Sequence, residues 1–184
     1  MQRHRLWVAV AVITAATGVL FASSKDDVEQ KEFESWILAL PPEKIHEMVV
    51  SVETDPLGKT ADMQRSALVT YFDKIPAKIT FCINPYLPVL QSKNKLHRLV
   101  LTQALLGSGD FVVMHPDQAS DSDAYLLAGL ESALRAYEHI VVQKPKAKLE
   151  FLDGLLETRR QGHLSDHIEV NRCDDDSETI DVSP

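Results

Sequence analysis

Two histidines four residues apart, His163 and His167, form the first pair whose spacing suggests chemistry. On a helix, side chains at i and i+4 share a face and can hold one metal ion. Gly162 and Ser165 are typical of a helix boundary, however, which would separate the two side chains. The segment also lacks the glutamate of the HExxH metalloprotease motif. We therefore interpret the pair as surface histidines near a helix end and expect no metal site.

The segment at 115–123, HPDQASDSD, contains four residues with ligand chemistry, namely His115, Asp117, Asp121 and Asp123. Carboxylate oxygens suit calcium, but a calcium-binding loop needs a glycine where this chain has Leu126. Serine and aspartate ahead of an apolar helix accept hydrogen bonds from its free N–H groups and complement its dipole. We therefore expect helix capping here.

Nucleophilic and cofactor motifs are missing from the sequence. It contains no GxSxG, CxxC, GxGxxG or Walker loop. Arg159 and Arg160 can bind an anion, but near a helix C-terminus such residues more often balance the dipole. We therefore predict no catalytic residue, no cofactor and a non-catalytic protein. The alternative is an exported hydrolase that assembles a site from scattered residues such as His115, Asp117 and His163.

Three aromatic residues are the candidates for a binding surface: Trp36, Tyr86 and Tyr125. Tryptophan and tyrosine bury a large area at low entropic cost and therefore anchor many protein contacts. At helical spacing they are more often core residues, so both interpretations stay open at this point.

The N-terminal residues have the order of a secretory signal. Arg3 and Arg5 precede an uncharged run from Leu6 to Ser24, and small residues end that run. We predict a signal peptide over 1–24 and export to the periplasm or the extracellular space. Nineteen uncharged residues are also long enough for a helix of about 28 Å, which allows an anchor in the inner membrane. In that alternative, residues 6–24 are the chain's contact with the membrane.

Charge limits the partners that the protein can bind. The 184-residue chain has a formal charge of −8, and loss of Arg3 and Arg5 with a cleaved signal would make it −10. An acidic chain without a basic stripe argues against nucleic acid as a partner. A protein partner remains open.

The two cysteines, Cys82 and Cys173, are candidates for a disulfide in an oxidising compartment. Such a bond would close a loop of about ninety residues and stabilise the fold by roughly 4 kcal/mol. The alternative is two free thiols, with Cys82 buried as a small apolar residue.

Apolar residues at helical spacing predict helices that begin near 28, 42, 60, 93, 122 and 147. The fold prediction is an all-α, irregular bundle of about five to seven helices, with one short extended segment near 78–83. The segment 107–114 is ambiguous, and we favour one long helix over a cap at Gly107 followed by a strand. Residues 25–172 are predicted to form a single helical domain and 173–184 an acidic disordered tail.

These patterns together predict an exported, non-catalytic helical protein that binds another protein or an envelope component. A membrane-tethered structural subunit is a further alternative, and it requires that the N-terminal segment stays uncut.

Overall fold

The computed structural model describes residues 25–77 and 79–173. Its eight α-helices are α1 Lys25–Leu38, α2 Pro42–Thr54, α3 Ala61–Lys74, α4 Leu87–Leu90, α5 Lys95–Met114, α6 Ser122–Gln143, α7 Glu150–Arg160 and α8 Leu164–Val170. Short 3₁₀ turns occur at Asn84–Tyr86, Pro116–Gln118 and Pro145–Ala147. The predicted signal segment 1–24 and residues 174–184 of the predicted tail lie outside the described residues.

The all-α prediction is confirmed, since the described residues contain helices and no strand. The helix count is one above the predicted range because the four-residue α4, which contains Pro88, forms within residues 79–94, the irregular region between α3 and α5. Residues 79–83 are neither helix nor strand, and position 78 is outside the described part. The favoured long helix is also confirmed, because α5 continues through Gly107 to Met114.

Helices α5 and α6 form the centre of the bundle, and their backbones approach closely through small residues. A methyl group on Gly107 would lie 2.5 Å from Cβ of Ser132. A methyl group on Gly129 would lie 2.5 Å from the carbonyl oxygen of Ala104. Both distances are far below van der Waals contact, so only glycine fits at these two positions.

Two hydrophobic clusters surround this central pair. The first is built on α5, α6, α7, α8 and the irregular region, with Leu130, Leu134 and Ile140 fully buried. The second joins α1, α2 and α3 to α5, where Ile45 of α2 and Leu106 of α5 are fully buried. The helical stripes in the sequence therefore face two cores that share α5.

The segment that follows α8 is joined to the rest of the chain by a disulfide, an ion pair and a hydrogen bond. Cys82 and Cys173 form a disulfide with 91 residues of sequence separation. Nearby, Arg172 forms an ion pair with Asp123, and Asn84 donates to the carbonyl of Arg172. Residue 173, the first of the predicted tail, is thus covalently tied to the helical body.

The close approach of Gly129 to α5 predicts that a methyl group at this position destabilises the fold. Gly129→Ala should lower the free energy of unfolding by about 2 kcal/mol or more, because the Ala104 carbonyl cannot move without breaking α5. Gly154→Ala is the matched control: a methyl group there meets no atom within 4 Å, so helix propensity should raise stability by about 0.5–1 kcal/mol. Urea unfolding measures both, and equal effects would contradict the close approach.

Loss of the disulfide should also destabilise the fold. The Cys82→Ser, Cys173→Ser double variant should lose about 4 kcal/mol, because the unfolded chain is no longer constrained across this long loop. Urea unfolding of the oxidised protein and of the variant tests this. A loss below about 1 kcal/mol would show that the other C-terminal contacts are sufficient.

Candidate functional site

The structure separates the three aromatic candidates. Tyr86 is fully buried, stacked on Phe81 with ring centroids 5.5 Å apart. Tyr125 is also buried, and its hydroxyl donates to the carbonyl of Thr80. Trp36 is 52% exposed on the outer face of α1. Only Trp36 is thus placed where it can contact a partner.

Trp36 lies in a shallow depression on α1, together with Val28, Ser35 and Ala39. Its ring packs 5.9 Å from that of Phe33, which contacts the core. All residues of the depression come from or directly follow this one helix. It therefore presents an exposed helix face with no second wall.

The histidines considered for metal binding have separate contacts. His163 precedes α8 and bonds to Asp166, whereas His167 within α8 bonds to the carbonyl of Pro85. The expected cap is present, since Asp121 accepts from the backbone N–H of Ala124. Among the described residues, no group of three or more His, Cys, Asp or Glu is arranged to hold a metal ion.

A groove of about 310 Å³ lies where α2, α5 and α6 meet. Its walls combine exposed apolar side chains with charged ones, contributed by all three helices. The residues that define its chemistry are His46 and Glu53 of α2, Asp110 and Met114 of α5, and Glu131 and Arg135 of α6. This groove is more enclosed than the Trp36 depression and is lined by more polar groups.

Asp110 and His46 form a hydrogen-bonded pair in the groove, with 2.8 Å between Oδ2 and Nδ1. The Asp110 side chain is 15% exposed, and its Oδ1 is buried without a hydrogen-bond partner in the described structure. Burial raises the pKa of the Asp110 carboxyl above its ordinary value, and the contact with His46 partly offsets this. Asp110 is therefore a carboxylate with an unused acceptor.

A second network fixes the opposite wall of the groove. Both carboxylate oxygens of Glu53 accept from Arg135, at 2.7 Å and 3.0 Å. The hydroxyl of Ser132 donates to Glu53 at 2.6 Å and accepts from the Gln103 amide at 2.9 Å. The Glu53 hydrogen bond is the largest cause of a raised Arg135 pKa. The network thus holds α2 against α6 and keeps the guanidinium charged.

Two kinds of chemistry are open to this groove. It can bind a cation at Asp110, because that carboxylate is partly exposed and His46 is its one ion-pair partner among the described residues. His46 can also act as a base, since its Nδ1 contacts a carboxylate and the ring is partly exposed. Ser132 is unsuited as a nucleophile, because it is buried and its proton is directed at Glu53.

The sequence interpretation did not select these residues, although a signal was present. Glu53 follows the buried Val49 by four positions, and Asp110 follows the buried Leu106 by four. Each acid therefore continues an apolar helical stripe, where a charged residue needs a partner. No protein-family model, curated protein or solved structure matches this chain.

The raised pKa of Asp110 predicts a pH-dependent effect of its removal. Because the pKa of Asp110 is higher in the folded protein, the protonated carboxyl stabilises the fold below the ordinary pKa of 3.8. This stabilisation is lost as the pH rises through the pKa of the folded protein. Asp110→Asn does not titrate, so its stability relative to the natural protein should increase between about pH 3 and about pH 6.

Thermal unfolding at the two pH values measures this difference. Asp117→Asn is the control, because it removes the same charge from an exposed 3₁₀ turn. The groups near Asp110 that also contribute are His46, Glu53 and His115. A pH-independent difference for Asp110→Asn would show that its burial has no energetic effect.

Proposed function

We propose that this chain is an exported, non-catalytic helical protein that binds another protein through the groove between α2, α5 and α6. The observation that carries the proposal is the composition of the groove. Val50 and Met114 expose apolar surface beside Asp110, which has an unsatisfied acceptor. Exposed apolar groups next to positioned polar ones are typical of recognition sites.

The groove is preferred over the Trp36 depression because three helices wall it. Its residues are held by the Glu53–Arg135 network and by the close packing of α5 on α6. A preorganised wall loses less conformational entropy on binding than a single exposed helix face.

Export is supported by two features. The N-terminal residues have the order of a secretory signal, and the Cys82–Cys173 disulfide is typical of oxidising compartments. Among the described helices, none is both long and apolar enough to cross a membrane. Anchoring through residues 6–24 is the alternative, and the intact mass of the native protein distinguishes a cleaved chain from an anchored one.

A hydrolase is the second candidate, and the His46–Asp110 pair is the observation that favours it. A histidine held by a carboxylate can remove a proton from water. His115 also lines this groove, whereas His163, which the hydrolase alternative combines with it, does not. Screening ester and phosphate substrates with the natural protein and His46→Gln tests this function, because turnover should then depend on His46.

The binding function predicts that a cation in the groove blocks the partner. The full-length protein with a C-terminal tag is crosslinked in its native envelope and isolated with bound proteins. Val50→Lys should reduce the recovery of a stoichiometric partner by about tenfold or more, because the lysine occupies and charges the groove.

The matched control is Val170→Lys, which makes the same change at an exposed valine of α8 outside the groove. Its partner recovery should equal that of the natural protein. Equal recovery with Val50→Lys, or no stoichiometric partner with the natural protein, would overturn the proposed function.

A further inference from the structure

We propose that the groove receives a basic side chain, arginine or lysine, of the partner protein. This inference rests on the proposed function and adds the chemistry that the partner presents. It follows from the surplus of carboxylates in the groove, from the apolar side chains beside them and from the unused acceptor of Asp110.

The first argument is the charge of the groove. Three carboxylates line it, from Glu53, Asp110 and Glu131, against the single guanidinium of Arg135. Arg135 forms two hydrogen bonds with Glu53 and lies 3.7 Å from Glu131, which Arg159 of α7 also approaches at 4.0 Å. Among the described residues Asp110 is paired with His46 and with no arginine or lysine, so an acidic ligand would be repelled there, whereas a cation would complement the carboxylate.

His46 and His115 are the remaining titratable groups of the groove. When both rings are neutral, they add no positive charge to offset the carboxylates of the groove. His46 already contacts Asp110, so protonation of its ring would compete with an incoming cation. The chain as a whole carries a formal charge of −8, which attracts basic partners over longer distances.

The second argument is the shape and the apolar part of the groove. Val50 and Met114 are exposed at its walls, and Phe111 lines it with its ring 4.7 Å from that of His115. Arginine and lysine have apolar stems that pack on such residues while the charged end stays polar. Aromatic rings also attract cations. A volume of about 310 Å³ suits a single long side chain and its flanking backbone.

The third argument is the hydrogen bonding of Asp110. Its Oδ2 lies 2.8 Å from Nδ1 of His46, and its Oδ1 has no hydrogen-bond partner among the described residues. Desolvation without enough donors disfavours the ionised carboxylate. Because Oδ1 itself is enclosed, an incoming guanidinium or ammonium group meets the exposed part of the side chain, and its positive charge stabilises the ionised carboxylate.

The test is an NMR titration of the full chain, labelled with ¹⁵N, with two short peptides. One is N-acetyl-Gly-Arg-Gly-amide, and the other carries citrulline, which has the same shape without the charge. The arginine peptide should shift the resonances of groove residues and bind about fivefold or more tightly than the citrulline peptide. Asp110→Asn should weaken its binding by about tenfold.

Glu169→Gln is the matched control, because it removes one negative charge from the exposed surface of α8 outside the groove. It should leave the affinity unchanged. Glu131→Gln is a second groove variant on another helix and should also weaken the arginine peptide. Agreement of both groove variants excludes a local folding defect as the cause.

Three results would overturn the inference: equal binding of the two peptides, shifts centred on the Trp36 depression, or methylguanidinium binding as tightly as the arginine peptide. The last would indicate a site for a small cation rather than for a partner. If Val50→Lys abolishes partner capture while the peptides are not distinguished, the proposed function stands and this inference is wrong. If the peptides are distinguished but capture is unaffected, the groove selects cations but the proposed function is wrong.

Discussion

The backbone contact between α5 and α6 is the constraint on which the rest of the structure depends. Gly107 and Gly129 lack the Cβ atoms that would hold the two helices apart, and Ser108 and Ser132 fill the remaining space with small side chains. Because the helices approach so closely, Ser132 reaches the Gln103 amide and the Glu53 carboxylate. The hydrogen bonds of Ser132 and Arg135 with Glu53 in turn hold α2 against α6.

The buried polar network explains how charged residues are accommodated at a helix crossing. Glu53 would be costly to bury alone, since an unpaired carboxylate loses its hydration. Arg135 and Ser132 supply donors to both of its oxygens. Asp110 receives less compensation, because one oxygen contacts His46 and the other has no partner in the described structure. Glu53 is therefore a fully compensated carboxylate that stabilises the fold, whereas Asp110 is the incompletely compensated one at which we propose that a ligand binds.

The two ends of the bundle are stabilised by different means. The α1–α3 half packs on α5 through buried aliphatic and aromatic residues. The α7–α8 half is packed on α6 and is also joined to the irregular region by the Cys82–Cys173 disulfide. That covalent link is consistent with the export that we propose. The groove lies where α2 of the first half meets α5 and α6.

The sequence by itself determined the helices, because their formation depends on local patterns. Periodic apolar residues, the proline-rich breaks and the cap at Asp121 were sufficient to predict an all-α fold and the long α5. Gly162, with its positive φ of 77°, ends α7 as its position in the sequence indicates. The direction in which an amphipathic residue faces depends on its neighbours in space, so only the tertiary structure decided that Tyr86 is buried while Trp36 is exposed.

The groove was likewise determined by the tertiary structure. His46 and Asp110 lie 64 residues apart in the chain, and Glu53 and Arg135 lie 82 apart, so no local pattern could pair them. Their contacts exist because α2 packs against both α5 and α6.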